Sequence, residues 1–135
     1  MIRRNPNVTL SRACVLIVDD QEWLRQLLEG ELKDVGLEVL LAENGEVAWK
    51  ILLTQVISVV VTDKDMPQLD GLALIERIRG AGSDVPIVLF TGDESDATRE
   101  TALALGATHV VKRDGGVEVV VDAVIEFALA LSSTS

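Results

Sequence analysis

Cysteine and histidine occur once each in the 135 residues, tyrosine is missing, and tryptophan and phenylalanine appear twice each. The lone Cys14 excludes an internal disulfide and gives no metal-ligand spacing, so it reads as a small buried residue at the first apolar run. With a single histidine, His109, no paired His or Cys is available for a soft or borderline metal. Cations are also scarce, with 12 Lys and Arg against 22 Asp and Glu and a formal net charge of −10. Nucleic-acid affinity rests mostly on cations neutralising phosphates, so this balance argues against direct nucleic acid binding by this segment. No apolar run approaches the roughly 20 residues of a membrane helix, and no apolar block follows the basic start MIRRNPNVTLSRA to act as a signal peptide. The expectation is a cytoplasmic chain without membrane contact. Neither a Walker loop nor a GxGxxG follows the first apolar run, which disfavours nucleotide binding.

What is present suits one globular core. Hydrophobic residues make up 48% and charged residues 25% of a chain of single-domain length. Short β-branched runs alternate with longer stretches whose apolar residues recur every three or four positions, the pattern of βα units closing a parallel sheet. Five units are counted, an α/β architecture. The runs are 14–18, 38–42, 57–62, 85–90 and 108–111. The helical stretches are 22–35, 45–53, a stretch carrying Leu72, Leu74, Ile75 and Ile78 and ended by Gly80 and Gly82, then 96–105 and 117–131. Asn44 is a candidate cap for the second helix, and Asp70, before Gly71, a candidate cap for the third.

In an open parallel sheet, ligands sit beyond the carboxyl ends of the strands. Here the first run exits into Asp19 and Asp20, the third into Asp63, the fourth into Thr91 and the fifth into Lys112. Taken singly, each is an ordinary cap, turn or strand-end residue; together they place three carboxylates, a hydroxyl and an amine at one edge. Three acids this close raise one another's pKa unless a cation compensates. Oxygen-only ligands point to a hard divalent ion, Mg²⁺ with Mn²⁺ as the alternative. Such an ion would offset the charge of a transferring phosphoryl group, with Lys112 and Thr91 free to meet its oxygens and Asp63 able to form an acyl phosphate.

These residues lie in the blocks VLIVDDQE, DKDMPQLDG, PIVLFTG and GATHVVK, and from residue 14 to 131 the chain resembles the receiver domain of bacterial two-component response regulators. The resemblance implies a flavodoxin-like (βα)5 doubly wound sheet with strand order 2-1-3-4-5, flanked by an N-terminal extension over 1–13 and a disordered tail over 132–135. It implies Asp63 as phosphoacceptor in a phosphorelay, supplied by a histidine kinase or phosphotransfer protein. Asp20 would bind Mg²⁺ directly, Asp19 through water, and Asp63 and the backbone carbonyl of Asp65 would complete the set. Thr91 is then the switch hydroxyl, Lys112 the phosphate-pairing lysine, and Asp65 and Asp93 hold positions that tune phosphoryl lifetime. The face of the fourth helix, fifth strand and fifth helix would carry an output domain, a partner protein or a homodimer contact. The chain would be a signalling module and not a turnover enzyme.

Departures from the family pattern accompany the match. Arg113 follows Lys112 where proline is usual, so the loop is either trans or strained. His109 stands where an aromatic switch residue is usual and reads either as a pH-sensitive switch or as a half-exposed strand histidine. Two other classes compete. A phosphatase of the haloacid dehalogenase type shares the DxD echo of DKD, but that family puts it on the first strand and the acidic pair last. A receiver fold reduced to constitutive docking is the other, opposed by the intact acids.

Overall fold

The computed structural model describes residues 13–93 and 95–133. Of the expected N-terminal extension only Ala13 falls in this range, and residues 134–135 of the expected tail lie outside it. The elements run β1 (Cys14–Val18), α1 (Glu22–Asp34), β2 (Glu38–Ala42), α2 (Gly45–Thr54), β3 (Val59–Thr62), α3 (Gly71–Gly80), β4 (Ile87–Thr91), α4 (Asp96–Leu105), β5 (His109–Lys112), a 3-10 turn (Arg113–Gly115) and α5 (Val117–Ser133). Helix α5 thus takes in Ser132 and Ser133, which the sequence assigns to the tail. The strands form one parallel sheet in the order β2-β1-β3-β4-β5, the doubly wound arrangement expected.

Side chains alternate across the sheet and so feed two cores. Val15 and Ile17 of β1, with Val59, Val61, Val88 and Phe90, pack beneath α1 and α5. Leu16 and Val18, with Val60, Ile87 and Leu89, face Leu74, Ile75 and Ile78 of α3 and Ala102 of α4. β3 is buried along its whole length, as its unbroken apolar run requires.

Capping fixes where the helices begin, and hence where the strand-end loops close. Asn44 Oδ1 accepts from the N–H of Val47, Asp70 Oδ1 from Ala73 at 2.8 Å and Ser95 Oγ from Thr98. Asp70 is therefore a cap, as its place before Gly71 suggests. Asp70→Ala is expected to cost about 1 kcal/mol of stability in urea unfolding, leaving the acidic edge intact. The loop between β3 and α3 folds tightly back: Gly71 N–H donates to Lys64 O at 2.8 Å, and a Cβ at Gly71 would lie 1.9 Å from the carbonyl oxygen of Asp63. Glycine is required there because the backbone beside Asp63 comes too close for any side chain.

Three strand boundaries differ from the sequence reading. β3 begins at Val59, because Ser58 uses its N–H and hydroxyl on Cys14 at the ladder's entrance. β4 runs from Ile87 through Thr91, which makes Thr91 its last residue. β5 ends at Lys112, one residue beyond the expected end, and the peptides beyond it are trans, with no cis bond among the described residues. Cys14 is half-buried at the start of β1.

Candidate functional site

The ends of β1 and β3 are locked side by side. Val15 to Val18 pair in register with Val59 to Thr62, and the ladders extend past the strands through Asp63 N–H to Val18 O at 2.9 Å and, towards β2, Asp19 N–H to Ala42 O at 3.1 Å. Asp19 and Asp63 are therefore placed by backbone ladders. Their carboxylates and that of exposed Asp20 converge, with one oxygen from each lying within 4.8 Å of the others. Asp19 Oδ1 is steadied by the N–H of Gln21 at 2.8 Å, and Asp63 Oδ1 by the N–H of Lys64 at 2.7 Å.

Electrostatics at this edge follow from burial. Asp19 and Asp63 are buried, and desolvation pushes both carboxyls up, Asp63 to about 6, with Asp19 and Asp20 adding to the rise at Asp63. Opposing the rise are the Gln21 N–H and then Arg113 at Asp19, and Arg113 and then the Lys64 N–H at Asp63. The Arg113 guanidinium is paired through Nη2 with Asp19 Oδ2 and lies 3.3 Å from Asp63 Oδ1, while Nη1 donates to Gln21 Oε1 at 3.1 Å. The group also lies over the Phe90 ring, 5.4 Å from its centroid, a cation–π contact that fixes the side chain along the core beneath α1. Its Nε is buried and has no hydrogen-bond partner.

Of the expected site residues, the structure brings Asp19, Asp20 and Asp63 together, and Thr91 closes the next strand end, fully buried, its hydroxyl accepting from Asp93 N–H at 3.0 Å. Asp65 is exposed in the loop after Asp63. Lys112 is not brought in: it is the exposed last residue of β5. The cation at the acids is Arg113, one residue on from the Lys112 that the resemblance names. Successive strand residues point to opposite faces, so misplacing the end of β5 by one residue exchanges Lys112 for Arg113. His109 is exposed at the start of β5, opposite Val88, whereas Thr91 is opposite Lys112, so the register sets His109 apart from the Thr91 hydroxyl. Asp93 Oδ2 accepts from Lys64 Nζ at 2.6 Å and from Thr98 Oγ1 at 2.7 Å; the first of these contacts leads in holding its carboxyl well below the usual carboxylate range.

The donor set suits a hard divalent ion, being three carboxylates with no nitrogen or sulfur. Residues 15–125 match the model of the response regulator receiver domain, so the chain belongs to that family. Among curated relatives, the probable transcriptional regulator ycf27 of Porphyra purpurea is 41% identical over 99 residues, 73% of this chain and 40% of that protein. Response regulator MprA of Mycolicibacterium vanbaalenii is 33% identical over 104 residues, 77% of this chain and 45% of that protein. The chain thus spans less than half the length of these relatives. Among solved structures, response regulator TrrA from Thermotoga maritima, in complex with Mg²⁺ and BeF, superposes with a TM-score of 0.76 at 30% identity, covering 85% of this chain and 98% of that one. The Francisella response regulator 1452 receiver domain shares the fold with a TM-score of 0.82 at 22% identity, covering 86% of this chain and 96% of that one. No helix among the described residues is long and apolar enough to cross a membrane.

Proposed function

We propose that this receiver domain accepts a phosphoryl group on Asp63 from a histidine kinase or phosphotransfer protein in a Mg²⁺-dependent step. The convergence of Asp19, Asp20 and Asp63 at adjacent strand ends carries the reading. A carboxylate oxygen of Asp63 would attack phosphorus, and the bond to the donor's imidazole nitrogen would break as the acyl phosphate forms. Asp19, Asp20, Asp63 and the backbone carbonyl of Asp65 would hold Mg²⁺, or Mn²⁺ in its place. The bound ion supplies neutralisation of charge on the phosphoryl oxygens. Arg113 takes the phosphate-pairing role that the sequence assigns to Lys112, since its fork of donors already lies beside Asp63 and suits a phosphoryl group geometrically. Thr91 moves to a phosphoryl oxygen, and Asp65 and Asp93 set the lifetime of the acyl phosphate.

The outcome is a two-state signal read on the face of α4, β5 and α5 by an output domain, a partner or a second copy. Exposed His109 and Lys112 on β5 belong to that face. The module resets by slow hydrolysis and does not turn over substrate. A cytoplasmic location fits such a donor. Beryllofluoride with Mg²⁺ is expected to change the emission of Trp23, which is 63% exposed near Asp20 on α1, and Asp63→Asn is expected to abolish the response. A silent parent protein would instead favour constitutive docking.

A further inference from the structure

The ion pair between Lys64 and Asp93 joins two loops that the proposed chemistry uses separately. Lys64 Nζ donates to Asp93 Oδ2 at 2.6 Å, and the two side chains are 23% and 30% exposed. Asp93 Oδ1 accepts from Ser95 N–H at 3.0 Å and Oδ2 from Thr98 Oγ1 at 2.7 Å. Of these three donors only Lys64 comes from outside the β4–α4 segment. Asp93 in turn gives its own N–H to Thr91 Oγ1 at 3.0 Å, while Lys64 gives its N–H to Asp63 Oδ1 at 2.7 Å. One continuous path thus runs from the carboxylate of Asp63 through Lys64 and Asp93 to the hydroxyl of Thr91.

We propose that Lys64 is a positioning residue for the switch: its ammonium latches Asp93 and, through the Asp93 N–H, holds the Thr91 hydroxyl in its resting place. The latch is a property of the unphosphorylated chain; its consequence for signalling rests on the reading of Asp63 as phosphoacceptor. Thr91 cannot leave for an oxygen on Asp63 without giving up the Asp93 N–H or taking Asp93 with it. Either movement works against the anchor that Lys64 provides in the loop after β3. A phosphoryl group on Asp63 carries about −1.5 to −2 charge next to Lys64 in the chain and competes for the same ammonium. Acceptance at Asp63 would therefore loosen the hold on Thr91. By the same equilibrium, a chain without the latch populates the moved loop more and accepts phosphoryl groups faster.

The test compares the parent with Lys64→Met, Lys64→Arg and Asp93→Asn. In the unphosphorylated, Mg²⁺-free proteins, amide hydrogen exchange over residues 91–93 and 95–98 should be about two- to fivefold faster in Lys64→Met and Asp93→Asn, the span set by a partly exposed ion pair. Lys64→Arg, which keeps a cation there, should stay near the parent. Phosphoryl incorporation from acetyl phosphate should rise by a similar factor in Lys64→Met. Unchanged exchange in Lys64→Met, or a Lys64→Arg protein that behaves like it, overturns the latch. Faster exchange without faster incorporation overturns its link to the switch. If no variant and no parent is phosphorylated while exchange follows the expected order, the latch stands and the phosphoacceptor reading falls.

Discussion

Arg113→Met is expected to tighten Mg²⁺ binding about tenfold while slowing phosphoryl acceptance about ten- to hundredfold. In the resting chain the guanidinium pairs with Asp19 and lies 3.3 Å from Asp63, so it occupies two of the carboxylates proposed to hold the ion. A ligand whose site is open only part of the time shows an affinity reduced by that fraction, and about 1.4 kcal/mol in favour of the closed arrangement is a factor of ten. Methionine still fills space over Phe90, so the exchange removes charge more than packing. The loss in acceptance has another origin. A hydrogen bond to a charged group contributes about 1.5 to 3 kcal/mol, and the transferring phosphoryl group would lose that partner. Opposite signs in the two measurements distinguish this role from general damage. Titration of Trp23 emission with Mg²⁺ reads the first, and initial rates with acetyl phosphate read the second. Lys112→Ala, at the exposed end of β5, should leave both within about twofold, in line with the median contribution of exposed charges. Weaker Mg²⁺ binding in Arg113→Met, or a large loss in Lys112→Ala, would return the role to Lys112.

Asp63→Asn should stabilise the fold at pH 7.5 by about 1 to 2 kcal/mol, although it removes the proposed acceptor. Burial, with Asp19 and Asp20 nearby, raises the Asp63 carboxyl from 3.8 to about 6. The native chain therefore holds that proton more tightly than the unfolded chain does. Well below 3.8 both states are protonated and Asp63 has no effect; as pH rises from there to 6 the native state loses ground, and above 6 the cost is complete. Two pKa units correspond to about 2.7 kcal/mol, reduced here for residual solvent screening. Urea unfolding of parent and variant at pH 7.5 and at pH 4 checks the sign: the gap should be present at the first and mostly gone at the second. A variant less stable than the parent at pH 7.5 would mean that Arg113 more than compensates the buried charge. Added Mg²⁺ should narrow the gap by binding the folded parent.

The sequence shows the acidic site more plainly than the residues around it. β1, β2 and α4 fall where the apolar runs and caps place them, since each is bounded by a charged pair, a glycine or a capping side chain. Asp19, Asp20 and Asp63 converge because β1 and β3 end side by side in the parallel sheet, and Thr91 closes the neighbouring strand. The end of β5 is less legible. In the run Val110, Val111, Lys112, Arg113 nothing punctuates the strand, and either cation could follow it. Only the contacts of Arg113 with Asp19, Gln21 and Phe90 decide between them, and those residues are distant in sequence. The Lys64–Asp93 pair spans 29 residues and was equally hidden. His109 reads from the sequence either as a switch or as a half-exposed strand histidine, and the pairing of β4 with β5 sets it exposed and opposite Val88.

Phosphoryl transfer to Asp63 itself is the most direct test. The parent protein, incubated with acetyl phosphate and Mg²⁺, should gain the mass of one phosphoryl group, mapped to the peptide that carries Asp63. The gain should vanish without the ion and in Asp63→Asn. No gain in the parent, or a phosphoryl group found on another residue, would contradict Asp63 as the acceptor.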